Sequence, residues 1–129
     1  MRGFHHVELW VVDLVRAGAE WGWLLEQIGF EADDAWADGC SWRAGEAYLT
    51  ICSAPALHGA SHDRRLPGLN HLAFHGGSRT QVDALMAAAE AHGWRTLYGD
   101  RYPHAGGPDH YAGWLENSDG FKAEVVAGP

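Results

Sequence analysis

Cysteine is scarce in this 129-residue chain, with only Cys40 and Cys52 present. Two thiols are too few for a disulfide scaffold, and their spacing is not the C-x-x-C of a redox or zinc motif, which fits a reducing compartment. Long apolar runs are missing as well. No segment approaches the ~20 apolar residues that a membrane span needs. The N-terminal MRGFHHVELWVV is interrupted by Glu8 and two histidines, and no small-residue cleavage site follows, so a secretory signal is not expected and a cytoplasmic location is. Basic residues are few: nine Lys and Arg against 17 Asp and Glu leave a net charge of −8 with histidine neutral. That balance disfavours nucleic acid or an anionic membrane as partner and favours a cationic ligand or a bound metal cation. The length is about one domain's worth of chain, so residues 1–129 are expected to form a single unit.

What the chain does contain is a repeat. GFHHVELWV at 3–11 and GLNHLAFHG at 68–76 both run glycine, two residues, histidine, then alternating apolar and polar positions. After the first comes a helical stripe of Leu14, Ala17, Trp21, Leu24, Leu25 and Ile28, with Asp13 as cap and Gly29 as stop. After the second, Ser78 and Gln81 spell a capping box, Val82, Leu85, Met86 and Ala89 make the stripe, and Gly93 ends it. The register is kept: 71 − 6 is 65 for the histidines, 93 − 29 is 64 for the glycines. Strands are then expected at 30–37, 39–45 and 46–54, and again at 94–98, 110–117 and 120–127. The fold class is therefore α+β: two βαβββ modules, 1–53 and 68–129, with 54–67 as linker. The insertion GDRYPHAGGP, 99–108, has no counterpart in the first half and is a lid candidate.

Strand side chains alternate faces. Val7, Leu9 and Val11 should cover the helix, leaving His6, Glu8 and Trp10 opposite. Leu72 and Phe74 do the same in the second half, leaving His71, Ala73 and His75. In the last strand Glu124 joins the histidine face. If the two sheets lie side by side and curve, His6, His71 and Glu124 line one cleft. Two imidazoles and a carboxylate are a common divalent-metal set with positions left for water or substrate. His5 should face the helix layer or the strand end, although a register shifted by one would exchange it with His6.

These residues resemble the vicinal oxygen chelate superfamily, which includes glyoxalase I, fosfomycin-resistance thiol transferases, methylmalonyl-CoA epimerase, extradiol dioxygenases and bleomycin-binding proteins. What carries the resemblance is His6-Val7-Glu8-Leu9, Val12-Asp13-Leu14, Gly29-Phe30-Glu31, His71-Leu72-Ala73-Phe74 and Asp119-Gly120-Phe121-Lys122-Ala123-Glu124. It implies two such modules forming a curved mixed sheet around a metal cleft, with a divalent ion (Fe, Mn, Ni or Zn) held by His6, His71 and Glu124. The acidic ligand that glyoxalase I usually adds in module one falls here on Leu49 or Thr50, alternation favouring Thr50.

An ion with open positions could stabilise an enediolate, polarise a leaving group or, as ferrous iron, bind dioxygen. Glu8 is the candidate general base. His110 and Tyr111, with His104, could fill the acid–base roles of an extradiol dioxygenase, and His75 lies on the matching strand. Trp10, Trp36, Trp42 and Tyr48 could stack on a flat ligand, with Thr50 beside them, or could simply be core. The expected function is a metal-dependent isomerase or lyase, thiol transferase or dioxygenase acting on a small molecule. The alternative is a non-catalytic acidic binder of cationic drugs of the bleomycin-resistance type. A homodimer is expected, since sheets of this size leave edges that a partner can cover.

Overall fold

The strand–helix–three-strand repeat is present twice in the computed structural model, which describes residues 2–129. Module one runs β1 (His6–Trp10), α1 (Leu14–Gln27), β2 (Glu31–Trp36), β3 (Gly39–Ala44) and β4 (Ala47–Cys52). Module two runs β5 (Leu72–Gly77), α2 (Arg79–Ala88), a 3-10 turn at Ala89–His92, then β6 (Arg95–Leu97), β7 (Ala112–Glu116) and β8 (Lys122–Ala127). The strands form two four-stranded sheets of identical plan, β1-β4-β3-β2 and β5-β8-β7-β6. Both are mixed: the first strand pairs parallel with the last, and the remaining pairs are antiparallel. The architecture is α+β, and neither sheet closes into a barrel.

The helices begin where the sequence writes their caps. The Asp13 side chain accepts from the Arg16 amide, satisfying a donor that the first turn leaves unbonded. Ser78 and Gln81 close a full capping box. Gly29 and Gly93 take left-handed φ values of +96° and +86° and end the helical segments, a conformation glycine enters without steric cost.

Each helix then buries its stripe on its own sheet. In module one Trp21, Leu24, Leu25 and Ile51 are fully buried with Leu9 and Val11; in module two it is Trp94, Val82, Leu115 and Val125. Side chains of this size each contribute about 1.5–3 kcal/mol on burial, which fixes which face of every strand is left for other work.

The chain divides into two compact units at the Ser61/His62 boundary. Residues 62–64 thus go with the second unit. The His62 ring stacks on Phe121 at 4.5 Å and its amide donates to the Asp119 carbonyl at 2.8 Å, and Arg64 pairs with Glu116 at 3.0 Å. The 99–108 insertion is anchored too, since the Tyr102 hydroxyl donates to Asp83 on α2. No helix among the described residues is long and apolar enough to cross a membrane.

Candidate functional site

In module one the register builds two cross-strand rows on the face away from α1. His6 sits beside Tyr48 and Tyr48 beside Arg43; Glu8 sits beside Thr50 and Thr50 beside Ser41. These rows line a cleft of about 470 Å³, with Asp33, Asp34 and Trp36 on its β2 side. Tyr48 lies flat on His6, 4.8 Å between centroids and 5° between planes, and the Arg43 guanidinium lies 4.9 Å over the same tyrosine ring. Glu8 accepts from the Trp10 indole at 2.8 Å.

His5 also lines this cleft, with its Nδ1 2.8 Å from the Nδ1 of His6. It therefore stands at the strand end rather than in the helix layer. Between two such nitrogens one must donate and the other accept.

Thr50 faces the cleft, whereas Leu49 is buried on the other side. Of the expected stacking residues, Trp36 and Tyr48 line the cleft, Trp10 stands beside it with its indole on Glu8, and Trp42 is not on this face. Trp42 pairs with Leu49 in register, is 6% exposed, and its ring carbon lies 3.2 Å from where a Cβ on Gly22 of α1 would sit. Burial against the helix takes the indole out of any ligand contact on the opposite face. Burial also pushes the thiols of Cys40 and Cys52 up, with Asp38 and Glu8 adding to the effect at Cys52, which disfavours the thiolate a nucleophile needs.

In module two the centre is Glu124, 5% exposed. His71, one residue before β5, places Nε2 3.5 Å from one carboxylate oxygen. His110, two residues before β7, hydrogen-bonds the other oxygen through Nε2. The Asn70 side-chain oxygen is 2.7 Å from the Nδ1 of His71. With the proton on that nitrogen, Nε2 presents a lone pair to a carboxylate, an arrangement that a cation must bridge, whether proton or metal ion. That donor chemistry fits a divalent ion at His71 and Glu124. Yet among the described residues no group of three or more His, Cys, Asp or Glu is arranged to hold one.

The remaining expected residues scatter. His75 is exposed on β5, beside Val126 of β8. His104 reaches the His110 carbonyl at 3.2 Å through Nδ1 and meets Tyr111 edge-on at 5.7 Å. Tyr111 is turned to the helix side. Its hydroxyl donates to Asp83 of α2 at 2.6 Å, Arg79 lies 4.9 Å over its ring, and the Asp83 carboxylate pushes its phenol up. A catalytic role for Tyr111 beside Glu124 is therefore overturned, because His110 and Tyr111 follow the strand alternation to opposite faces.

The repeat also shows what has been exchanged. Ala73 is the module-two counterpart of Glu8, since 73 − 8 is the same 65 that separates the histidines. Ala73 pairs with Glu124 as Glu8 pairs with Thr50, so Thr50 holds in module one the position that Glu124 holds in module two. Three residues around this face lay outside the expectation: Lys122, Tyr98 and Trp114. The Lys122 Nζ donates to the Tyr98 hydroxyl at 2.9 Å, and the Trp114 ring meets His71 edge-on at 5.1 Å. Alternation in β8 sets Lys122 on the Glu124 face, which was a legible signal; nothing local marks Tyr98.

Residues 5–114 match the sequence pattern of the Glyoxalase/Bleomycin resistance protein/Dioxygenase superfamily. The chain is 45% identical over 125 residues to an uncharacterised Bacillus subtilis (strain 168) protein, YqjT, covering 95% of this chain and 97% of that one. A crystal structure of a candidate glyoxalase from Bacillus halodurans superposes with a TM-score of 0.89 at 41% identity, covering 96% of this chain and 94% of that one. A fosfomycin resistance protein, FosX, from Listeria monocytogenes, solved with Mn(II) and sulfate, shares the fold at a TM-score of 0.64 and 17% identity, over 100% of this chain and 94% of that one.

Proposed function

The chain belongs to the glyoxalase/bleomycin resistance protein/dioxygenase superfamily, and on that premise we propose that it is a small divalent-metal-dependent enzyme acting on a substrate chelated through oxygen atoms. The observation that carries this reading is Glu124: a buried carboxylate with an imidazole on each oxygen, His71 at 3.5 Å and His110 in hydrogen bond. The proposed ligands are His71 and Glu124, with His6 as the equivalent histidine of module one. The fold-sharing FosX, solved with Mn(II), supports a metal at this fold. When bound, the ion supplies Lewis acidity toward negative charge developing on a substrate oxygen.

The protein's own groups do the rest. His110 orients the Glu124 carboxylate, as partners of metal-binding carboxylates commonly do. Glu8 is the proposed proton acceptor in module one, held in position by the Trp10 indole. The reaction is an isomerisation or lyase step, a thiol transfer, or an extradiol-type oxygenation.

Elemental analysis of protein purified without a metal-affinity tag tests the proposal, followed by reconstitution with ferrous, manganous, nickel and zinc ions. His6→Ala, His71→Ala and Glu124→Ala are each expected to cost at least ~10-fold in metal affinity, and His5→Ala far less. If none of the four alters metal content, the metal reading fails. Oxygen uptake with catechols confined to the ferrous form selects the dioxygenase; oxygen-independent turnover of a hemithioacetal, epoxide or acyl-CoA selects the others.

A second reading rests on the module-one cleft. Glu8, Asp33 and Asp34 with Trp36 and Tyr48 suit a cationic aromatic ligand bound without catalysis, in keeping with the net charge of −8. Tight binding of such a ligand by metal-free protein, unchanged in His71→Ala and Glu124→Ala, would select it.

A further inference from the structure

Module two carries a polar group that the metal reading does not use. Lys122 is the only lysine in the chain, and it is 9% exposed on the Glu124 face of β8. Its Nζ donates to the Tyr98 hydroxyl at 2.9 Å, and lies 4.9 Å from the Tyr98 ring centroid and 4.7 Å from that of Trp114. These neighbours are a phenol and two π faces. No carboxylate lies within ion-pair distance of this ammonium among the described residues. Arg101 lies 4.9 Å over the same Tyr98 ring and likewise has no carboxylate within ion-pair distance among the described residues.

This is not for want of acids, since the chain has 17 against nine bases. The nearby acids are taken: Glu116 is shared by Arg64 and Arg95, and Glu124 is engaged by His71 and His110. A buried charge is costly unless a counter-charge or hydrogen bonds compensate it, and here donors outnumber acceptors. The Trp114 indole N–H beside Lys122 is buried with no acceptor among the described residues. Tyr98 itself has φ +58°, the one positive value at a described residue other than glycine, a strained conformation that marks functional segments more often than ordinary ones.

We propose that Tyr98, Lys122 and Arg101 form a subsite for an oxyanion, the carboxylate or phosphate-type group of a ligand. Its chemistry is two cations set against one tyrosine ring, with the hydroxyl of that ring bonded to one of them and no carboxylate within ion-pair distance of either among the described residues. The Tyr98 phenol is held below its ordinary range, first by the hydrogen bond from Lys122 and, against the opposing effect of burial, by the charges of Lys122, Arg64 and Arg101. The same positive field favours a bound anion. The subsite lies within module two and requires no metal.

A sole lysine makes the test direct. Protein labelled with 13C at lysine Cε gives one side-chain NMR signal, followed in the full chain as sodium phosphate or sodium acetate is added, with sodium chloride at matched ionic strength as control. The expected result is a saturable shift with phosphate, acetate or both, and not with chloride. Response to phosphate alone assigns a phosphate-type group, and response to acetate a carboxylate. Arg101→Ala, at an exposed position that should tolerate truncation, is expected to weaken saturation roughly tenfold, the size of one charge-assisted hydrogen bond. Tyr98→Phe should weaken it as well, while metal content in both variants stays as in the parent. A shift that chloride reproduces, no saturable shift with either anion, or saturation unchanged in both variants overturns the proposal, and none of these outcomes bears on the metal ligands.

Discussion

Glu116 shows how much one side chain can hold. Its two oxygens take Arg64 Nε at 3.0 Å and Arg95 Nη2 at 2.5 Å. Burial by itself would raise its carboxyl; the hydrogen bonds and charges of the two arginines outweigh that and hold it below the usual carboxylate range. A lowered folded-state pKa contributes stability that is present above the ordinary value of 4.5 and lost as pH falls through the folded value. Glu116→Gln is expected to cost about 1–2 kcal/mol at pH 7, read from urea denaturation. The two stability curves should converge as pH falls through that folded value, and a difference that persists unchanged in acid would refute the charge argument. Reading residues from sequence is direct where alternation alone decides the face, as for Thr50 over Leu49. It fails at Trp42, where an aromatic at a strand centre is equally suited to a cleft or a core, and only packing against Gly22 separates the two.

Elements were the most legible level, because caps and periodicity are local. Asp13, the Ser78/Gln81 box and the two stop glycines all act within a few residues of where they are written. Close packing between elements is less visible, and two glycines in module two make the point. A Cβ on Gly76 of β5 would lie 2.3 Å from Val125 Cγ1 and 2.8 Å from Val82 Cγ2, with the Val126 carbonyl at 3.3 Å. Valines are stiff at χ1, so Gly76→Ala should destabilise by about 1–3 kcal/mol. A Cβ on Gly113 of β7 would instead meet the Sδ of Met86 at 2.2 Å, and a methionine has three torsions with which to move aside. Gly113→Ala should therefore cost less. Thermal denaturation of the pair checks the order, and Gly113→Ala as the worse variant would refute it.

At the scale of the whole molecule, the exposed apolar surface points to self-association. Phe4, Val12, Val15, Trp10 and Trp36, all in the first unit, are exposed large hydrophobics, against Leu66 in the second. Edge strand β2 carries Glu31, Asp33 and Asp34, charges that discourage strand pairing. Association is thus expected through apolar side chains of unit one rather than through a β2 edge. We predict a dimer at micromolar concentration by analytical ultracentrifugation, weakened by Val15→Lys. A monomer for the parent protein would refute it.

The sequence by itself determined the repeat, the helix ends, the strand faces and the identity of the Glu124 face, because each follows from a period of 2 or 3.6 residues or from a cap acting locally. Tertiary structure decided which side chains on a face meet. His110 reaches Glu124 across 14 residues, Lys122 reaches Tyr98 across 24, and Tyr111 reaches Asp83 across 28. No local period relates those positions. The partners are chosen by strand register and by the path of the 99–108 insertion, pinned to α2 at Tyr102, and both are set by what packs best over the whole module rather than by any stretch of the chain read alone.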